Sequence, residues 1–100
     1  MKNNWENYVV NIGNVKQKTT HLVKFKSLHH LDIDRITLGC MECTKLVDYK
    51  NNELIFQYKV EEFPKHLMHI EETIPLEKWI TIYYTNGLKD DLRFIGTMRK

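Results

Sequence analysis

Apolar and polar residues alternate along most of this chain, with the period of two that places one face of a β-strand on a core. The alternation is cleanest over residues 54–60, where the apolar positions are Leu54, Phe56, Tyr58 and Val60. Shorter runs of the same kind predict strands at residues 8–12, 21–25, 31–38, 80–84 and 92–98. The segment 31–38 changes phase near Asp34, which predicts a bulge or a corner in that strand.

Turn signals recur along the chain about every ten residues, and no helical periodicity is sustained. Pro64 and Pro75 break the strand pattern, so two alternatives remain for residues 61–75: a short helical turn or an irregular loop. After Asn86-Gly87, the polar run 89–91 predicts a loop longer than a tight hairpin turn. A succession of about seven short strands predicts an all-β fold, namely an antiparallel β-sandwich.

The composition supports one domain over residues 1–100. Hydrophobic residues make up 42% of the chain and aromatic residues 11%, as in ordinary globular proteins. A second core would leave each half of the chain too small to bury enough apolar surface.

The mixed charges argue against nucleic acid as a partner, and the lack of a long apolar run argues against a membrane. The 15 basic and 13 acidic residues give a formal charge of +2 and are mixed along the chain, so no basic stripe is available for phosphates. The start at Met1 lacks the apolar core of a signal peptide, and no run approaches the roughly 20 apolar residues of a membrane span. The sequence predicts synthesis in the cytoplasm and, in that reducing compartment, free thiols.

The cysteines Cys40 and Cys43 form the one local motif that points to chemistry. Cys-x2-Cys is a chelating step, and together with His66 and His69 it makes a candidate zinc site that would staple a small domain, although the sequence favours no metal. The spacing between these histidines is shorter than zinc sites usually have. The alternative is a pair of half-buried thiols beside solvent-facing histidines.

A redox role would need a thiol at the start of a helix, where the dipole lowers its pKa. The residues after Cys43 are typical of a strand instead, so the sequence does not favour a redox site. A disulfide would form if the protein worked outside a reducing compartment, although so small a loop contributes little chain entropy. Because no nucleophile elbow, phosphate loop or HExxH helix occurs, we expect neither a catalytic site nor a cofactor.

The candidates for contact with other proteins are Trp5, Trp79 and Tyr83. A sandwich that buries Ile80 and Ile82 should expose the opposite face of that strand, where Trp79 and Tyr83 lie. Exposed tryptophan and tyrosine are favoured at protein interfaces. The alternative for Trp79 is packing beneath the segment 61–75. Trp5 is either a plug at one end of the sandwich or an anchor onto a neighbour.

Five segments spread over most of the chain carry a further pattern. They are residues 10–26, Leu31-Asp-Ile33, Gly39-Cys-Met-Glu-Cys-Thr44, Lys78-Trp-Ile-Thr-Ile-Tyr-Tyr-Thr-Asn86 and Leu92-Arg-Phe-Ile-Gly96. Together they resemble a family of bacterial and phage Ig-like domains of unknown function that carry a Ser-Cys-Gly-Cys-Thr motif. The chain departs from this family at Ser27-Leu-His-His30, where the family has an Asn-Thr-Gly turn, and in the wider spacing of its cysteines.

The resemblance implies an Ig-like β-sandwich related in shape to the major sperm protein and to spindle-associated modules, which act as scaffolds and bind proteins. It therefore implies a non-enzymatic structural or protein-binding module of a larger assembly. The most economical setting is a small phage virion component, such as a capsid decoration, neck or tail protein, present in symmetric multiple copies. The alternatives are a zinc-stabilised adaptor domain and a carbohydrate-binding or adhesion module.

Overall fold

The alternating segments form seven β-strands in the computed structural model, which describes residues 3–100. The strands are β1 (Val9–Lys16), β2 (Thr20–Lys26), β3 (Ile33–Leu38), β4 (Thr44–Lys50), β5 (Glu53–Lys59), β6 (Thr73–Tyr84) and β7 (Lys89–Arg99). One turn of 3₁₀ helix, Lys65–Leu67, precedes β6. Met1 and Lys2 of the predicted domain lie outside the described residues. Within residues 3–100, no helix has the length and apolar character that crossing a bilayer requires.

The strands pair into two sheets that pack as a sandwich, so the predicted all-β architecture is confirmed. The four-stranded sheet has the order β1-β7-β6-β3, and the three-stranded sheet has the order β2-β5-β4. Neighbouring strands run antiparallel except β1 and β7, which are parallel. The prediction of a wholly antiparallel sandwich is wrong for this pair, because the chain changes sheet after β1 and leaves that strand beside the last one.

The core lies between the two sheets and is built from alternate residues of the facing strands. The largest fully buried side chains are Trp5, Phe25, Phe56, Tyr58, Phe63 and Phe94. Tyr58 of one sheet meets Phe94 of the other edge to face, with ring centroids 5.0 Å apart. Ile80 and Ile82 are 1% and 0% exposed, as the alternation in their strand predicts.

The pairing register confirms one local prediction and corrects two others. The pairing of β3 with β6 shifts between Ile33 and Arg35, where the sequence changes phase. Pro75 does not interrupt β6, which pairs with β7 from Thr73 onwards. Because β3 covers only the second half of β6, Pro75 has a strand on one side only, where proline is tolerated. Residues 89–91 belong to β7 rather than to the hairpin loop.

Trp5 closes one end of the sandwich. Its side chain is 1% exposed, and its indole Nε1 donates a hydrogen bond of 2.8 Å to the Tyr84 hydroxyl. The Tyr84 hydroxyl in turn donates a hydrogen bond of 2.6 Å to Asp90 Oδ2. Burial is the largest cause that raises the pKa of Tyr84 above its ordinary value, and the hydrogen bond to Asp90 is the second. Of the two alternatives predicted for Trp5, the structure therefore shows the plug at one end of the sandwich. This corrects its place among the contact candidates, because a buried indole offers no surface to a partner.

Candidate functional site

An aromatic patch lies on the outer face of the four-stranded sheet. Because Ile80 and Ile82 of β6 point into the core, the residues that alternate with them point outward. We call this patch the aromatic face; it consists of Trp79, Thr81 and Tyr83 of β6, Arg35 of β3 and Arg93 of β7. The strand register places Arg93 directly beside Trp79 and Arg35 directly beside Tyr83.

Polar neighbours hold the indole of Trp79, which is 47% exposed. Its Nε1 donates a hydrogen bond of 2.8 Å to Glu77 Oε1. Arg93 Nη1 lies 2.7 Å from the other oxygen of the same carboxylate, Glu77 Oε2. The guanidinium carbon of Arg93 is also 5.3 Å from the indole centroid, within the range of a cation–π contact. The hydrogen bond and the cation–π contact therefore both favour this orientation of the exposed indole.

Tyr83 is held in a similar way at the other end of the aromatic face. The guanidinium carbon of Arg35 lies 4.2 Å from the centroid of the Tyr83 ring. Between the two aromatic side chains, Thr81 Oγ1 donates a hydrogen bond of 2.8 Å to Asp91 Oδ1. The half-exposed indole of Trp79 favours the contact-surface interpretation over packing beneath residues 61–75.

The cysteines lie at the opposite end of the sandwich from Trp5, in the turn between β3 and β4. The structure joins Cys40 to Cys43 in a disulfide, so the expectation of free thiols is corrected. The turn explains the pairing, because a hydrogen bond of 3.1 Å from Thr44 N to Cys40 O folds the two cysteines towards each other. Cys43 is 8% exposed and belongs to the core, whereas Cys40 is half-buried at its margin.

A partly buried carboxylate, Glu61, stands beside this disulfide. Glu61 Oε1 lies 4.0 Å from Cys40 Sγ and 2.6 Å from Lys78 Nζ. The Tyr58 hydroxyl donates a hydrogen bond of 2.6 Å to Glu61 Oε2. Burial raises the pKa of Glu61, but the hydrogen bonds from Lys78 and Tyr58 outweigh it and hold that pKa below its ordinary value. Burial is the largest cause that raises the pKa of Tyr58, and the hydrogen bond to Glu61 is the second, so the Tyr58 hydroxyl remains a donor.

The structure does not assemble the predicted zinc ligands. In the part of the chain that it describes, the one group of three potential ligands is Cys40, Cys43 and Glu61, whose ligand atoms lie within 4.8 Å of one another. His66 and His69 are exposed residues in and after the 3₁₀ turn and do not join this group. A metal ion would need both sulfurs as thiolates, and the disulfide leaves none. With the disulfide formed, Cys40, Cys43 and Glu61 therefore do not fit zinc.

Sequence reasoning missed Glu61, Lys78 and Tyr58 as partners. The signal that was present is the position of Lys78, because it shares the inward phase of β6 with Leu76 and Ile80. A lysine in a buried phase needs a partner of opposite charge. Nothing local identifies that partner, because Glu61 lies after β5 in the other sheet.

We expect the native chain to lose stability in acid more steeply than a Glu61→Gln variant. The folded pKa of Glu61 lies below its ordinary value of 4.5, so its contribution is present above that value. It is lost as the pH falls through the folded pKa. Urea unfolding at a series of pH values from about 7 to about 3 measures the difference.

Glu62→Gln is the matched control, because Glu62 is the next residue and is exposed. It should retain the pH dependence of the native chain. The ionised pair of Glu61 and Lys78 would be refuted as a stabilising contact if Glu61→Gln lost stability in acid as steeply as the native chain does.

Comparison of the chain with protein-family models, curated proteins and solved structures finds no match. The class that the structure defines is therefore architectural: an all-β sandwich of one four-stranded and one three-stranded sheet.

Proposed function

We propose that this chain is a non-enzymatic, protein-binding module of the Ig-like kind that works in a larger assembly, and that the aromatic face is its contact surface. The proposed setting is a phage virion, where the chain serves as a capsid decoration, neck or tail component. The setting is supported by the resemblance of its sequence segments to phage Ig-like domains.

The contacts that hold Trp79 on an open sheet surface are the observation that carries this proposal. Tryptophan, tyrosine and arginine are the residue types that contribute most binding energy at protein interfaces. Here all of these types occur together, and Glu77 and Arg93 hold the half-exposed Trp79 in place. Since these contacts restrict the side chains before binding, binding loses less conformational entropy than it would with free side chains.

The strand order supports the Ig-like part of the proposal. In immunoglobulin-type sandwiches, the second, fifth and fourth strands share one sheet, and the third, sixth and seventh share the other. This chain has β2-β5-β4 in one sheet and β7-β6-β3 in the other. Its β1 lies beside β7, in the sheet that carries the aromatic face.

Site-specific photo-cross-linking in purified virions tests the proposal. A benzophenone amino acid in place of Thr81 lies between Trp79 and Tyr83 at the centre of the aromatic face. The matched control position is Gln57, an exposed residue on the outer side of the three-stranded sheet. We expect one defined virion protein to be cross-linked from position 81 and not from position 57.

Three outcomes would contradict the proposal. If the chain is missing from purified virions, the virion setting is wrong. Cross-linking from position 57 alone would move the contact surface to the other sheet. A cross-link to glycan from position 81 would replace the protein-binding function with the carbohydrate-binding alternative.

A further inference from the structure

Two open grooves meet at the turn that carries the disulfide. The larger has a volume of about 570 Å³ and is lined by residues that include Lys18, Cys40, Cys43, Lys59 and Glu61. The smaller has a volume of about 470 Å³ and also reaches Cys43. Met41, at the tip of the turn, is 82% exposed. A molecule in the larger groove would lie against the sulfur atoms.

We propose that the Cys40–Cys43 disulfide is a site of thiol–disulfide exchange, and that its substrates are dithiols that reach Cys40 through the larger groove. The inference uses none of the five residues of the aromatic face. It therefore stands or falls independently of the proposed protein-binding function.

Strand pairing supports the fold on both sides of this bond, as a cycling disulfide requires. Its loop is among the shortest a disulfide can close, and short loops restrict the unfolded chain least. Beside the turn, β3 pairs with β6 from Ile33 to Leu38, and β4 pairs with β5 from Thr44 to Lys50. These pairings hold both strands in place whether the sulfurs are joined or reduced.

The two sulfurs differ in access and in surroundings. Cys40 is half-buried, whereas Cys43 is 8% exposed and packs in the core. Attack by an external thiolate is therefore directed to Cys40, with Cys43 as the leaving group. The Thr44 hydroxyl lies 3.6 Å from Cys43 Sγ, where it can donate a hydrogen bond to the departing thiolate.

The exchange balances without any further reagent. The first thiolate of the dithiol forms a bond to Cys40 Sγ, the Sγ–Sγ bond breaks, and its electron pair leaves on Cys43 Sγ. The second thiolate of the dithiol then attacks the dithiol sulfur that is bonded to Cys40 Sγ, and Cys40 leaves as a thiolate. Two electrons pass from the dithiol, which becomes a disulfide, to the protein, and solvent protonates Cys40 and Cys43.

Glutathione trapping tests the predicted difference between the cysteines. The variants Cys43→Ser and Cys40→Ser each leave one thiol, and each is incubated, folded, with oxidised glutathione. We expect the remaining Cys40 to form the mixed disulfide about tenfold faster than the remaining Cys43, as followed by mass spectrometry. The circular dichroism of both variants checks that the sheets are intact.

Reduction of the wild-type chain gives a second readout that needs no substitution. Dithiothreitol should reduce the disulfide in the folded chain, with an unchanged β-sheet spectrum, and oxidised glutathione should restore it. Equal trapping rates at the two cysteines would overturn the proposal. So would a disulfide that dithiothreitol reduces only after denaturant has unfolded the chain.

Glu61 is a positioning residue in this scheme, because its carboxylate lies 4.0 Å from Cys40 Sγ. The other charged groups around Cys40 are Lys18, Glu42, Lys59 and Glu62 of the groove and Lys78, which pairs with Glu61. Because the Glu61 carboxylate lies against Cys40 Sγ, its negative charge disfavours the thiolate. Glu61→Gln should therefore speed alkylation of reduced Cys40 at neutral pH by about tenfold and move its pH profile to lower pH. Glu62→Gln, which changes another carboxylate of the same groove, should leave the profile unchanged. An unshifted profile in Glu61→Gln would remove Glu61 from the scheme.

Discussion

Replacing Trp5 by alanine is expected to lower the free energy of unfolding by about 3–5 kcal/mol, the range for deleting a buried tryptophan side chain. Trp5 is 1% exposed, and its removal leaves a cavity at one end of the sandwich. It also takes away the hydrogen bond that the Tyr84 hydroxyl accepts. In a domain of this size, the thermal midpoint should fall by more than about 12 °C. Urea unfolding and thermal melting followed by circular dichroism measure the effect.

Trp79→Ala is the matched control for this prediction. Because Trp79 is 47% exposed on an outer face, its removal should change the free energy of unfolding by less than about 1 kcal/mol. Trp5→Phe keeps one aromatic ring but removes the donor together with part of the indole, so it should cost less than Trp5→Ala. Similar losses for Trp5→Ala and Trp79→Ala would contradict the assignment of one tryptophan to the core and the other to the surface.

Gly96→Ala is expected to lower the free energy of unfolding by about 1–3 kcal/mol, as overpacking does in tight sites. An alanine Cβ at position 96 would lie 2.5 Å from the Gly13 carbonyl oxygen and 3.0 Å from Ile12 Cγ1. The close approach arises because the register of β1 against β7 shifts between Asn11 and Asn14. The backbone oxygen cannot rotate away, so the parallel strands must move apart. Urea unfolding measures the loss.

Thr97→Ala, at the next position of the same strand, serves as the control and should cost no more than about 1 kcal/mol, because it brings no atom into contact with the neighbouring backbone. Faster hydrogen exchange of the β1 amides in Gly96→Ala would locate the damage at the parallel pair. A Gly96→Ala chain as stable as Thr97→Ala would show that β1 does not approach β7 as closely as described.

Most of the strands could be predicted from the sequence, because a buried face leaves a period of two in the residues that form it. The run of Leu54, Phe56 and Tyr58 predicts β5, and all three side chains are 0% exposed. The phase change near Asp34 likewise predicts the register shift in β3. The outward direction of Trp79 and Tyr83 follows from the same alternation.

The pairings between distant segments could not be predicted in this way. The parallel contact of β1 with β7 depends on which sheet the chain enters after β1, and alternation within a strand carries no information on that choice. The neighbours of Trp5 are polar in sequence, so its burial depends on Ser27, Tyr49 and Tyr84, which come from other parts of the chain.

The neighbours of Cys40 could not be predicted either, because they also come from distant segments of the chain. A Cys-x2-Cys motif followed by two histidines offers the residue types of a zinc site, although the histidine spacing is short for one. In the folded chain the acidic neighbour of Cys40 is Glu61, already engaged by Lys78 and Tyr58, and the histidines lie elsewhere. Spacing along the sequence indicates which residues could meet, and the sheet order decides which of them do.

Retention of the chain on purified virions, compared between wild type and Trp79→Ala by quantitative mass spectrometry, tests the proposed contact surface most directly. The variant must first be shown to fold, with a thermal midpoint close to that of the wild type. We expect the folded variant to be retained at about one tenth of the wild-type level or less, as the loss of a central tryptophan contact implies. Full retention of a folded Trp79→Ala chain would contradict the aromatic face as the surface through which this sandwich binds.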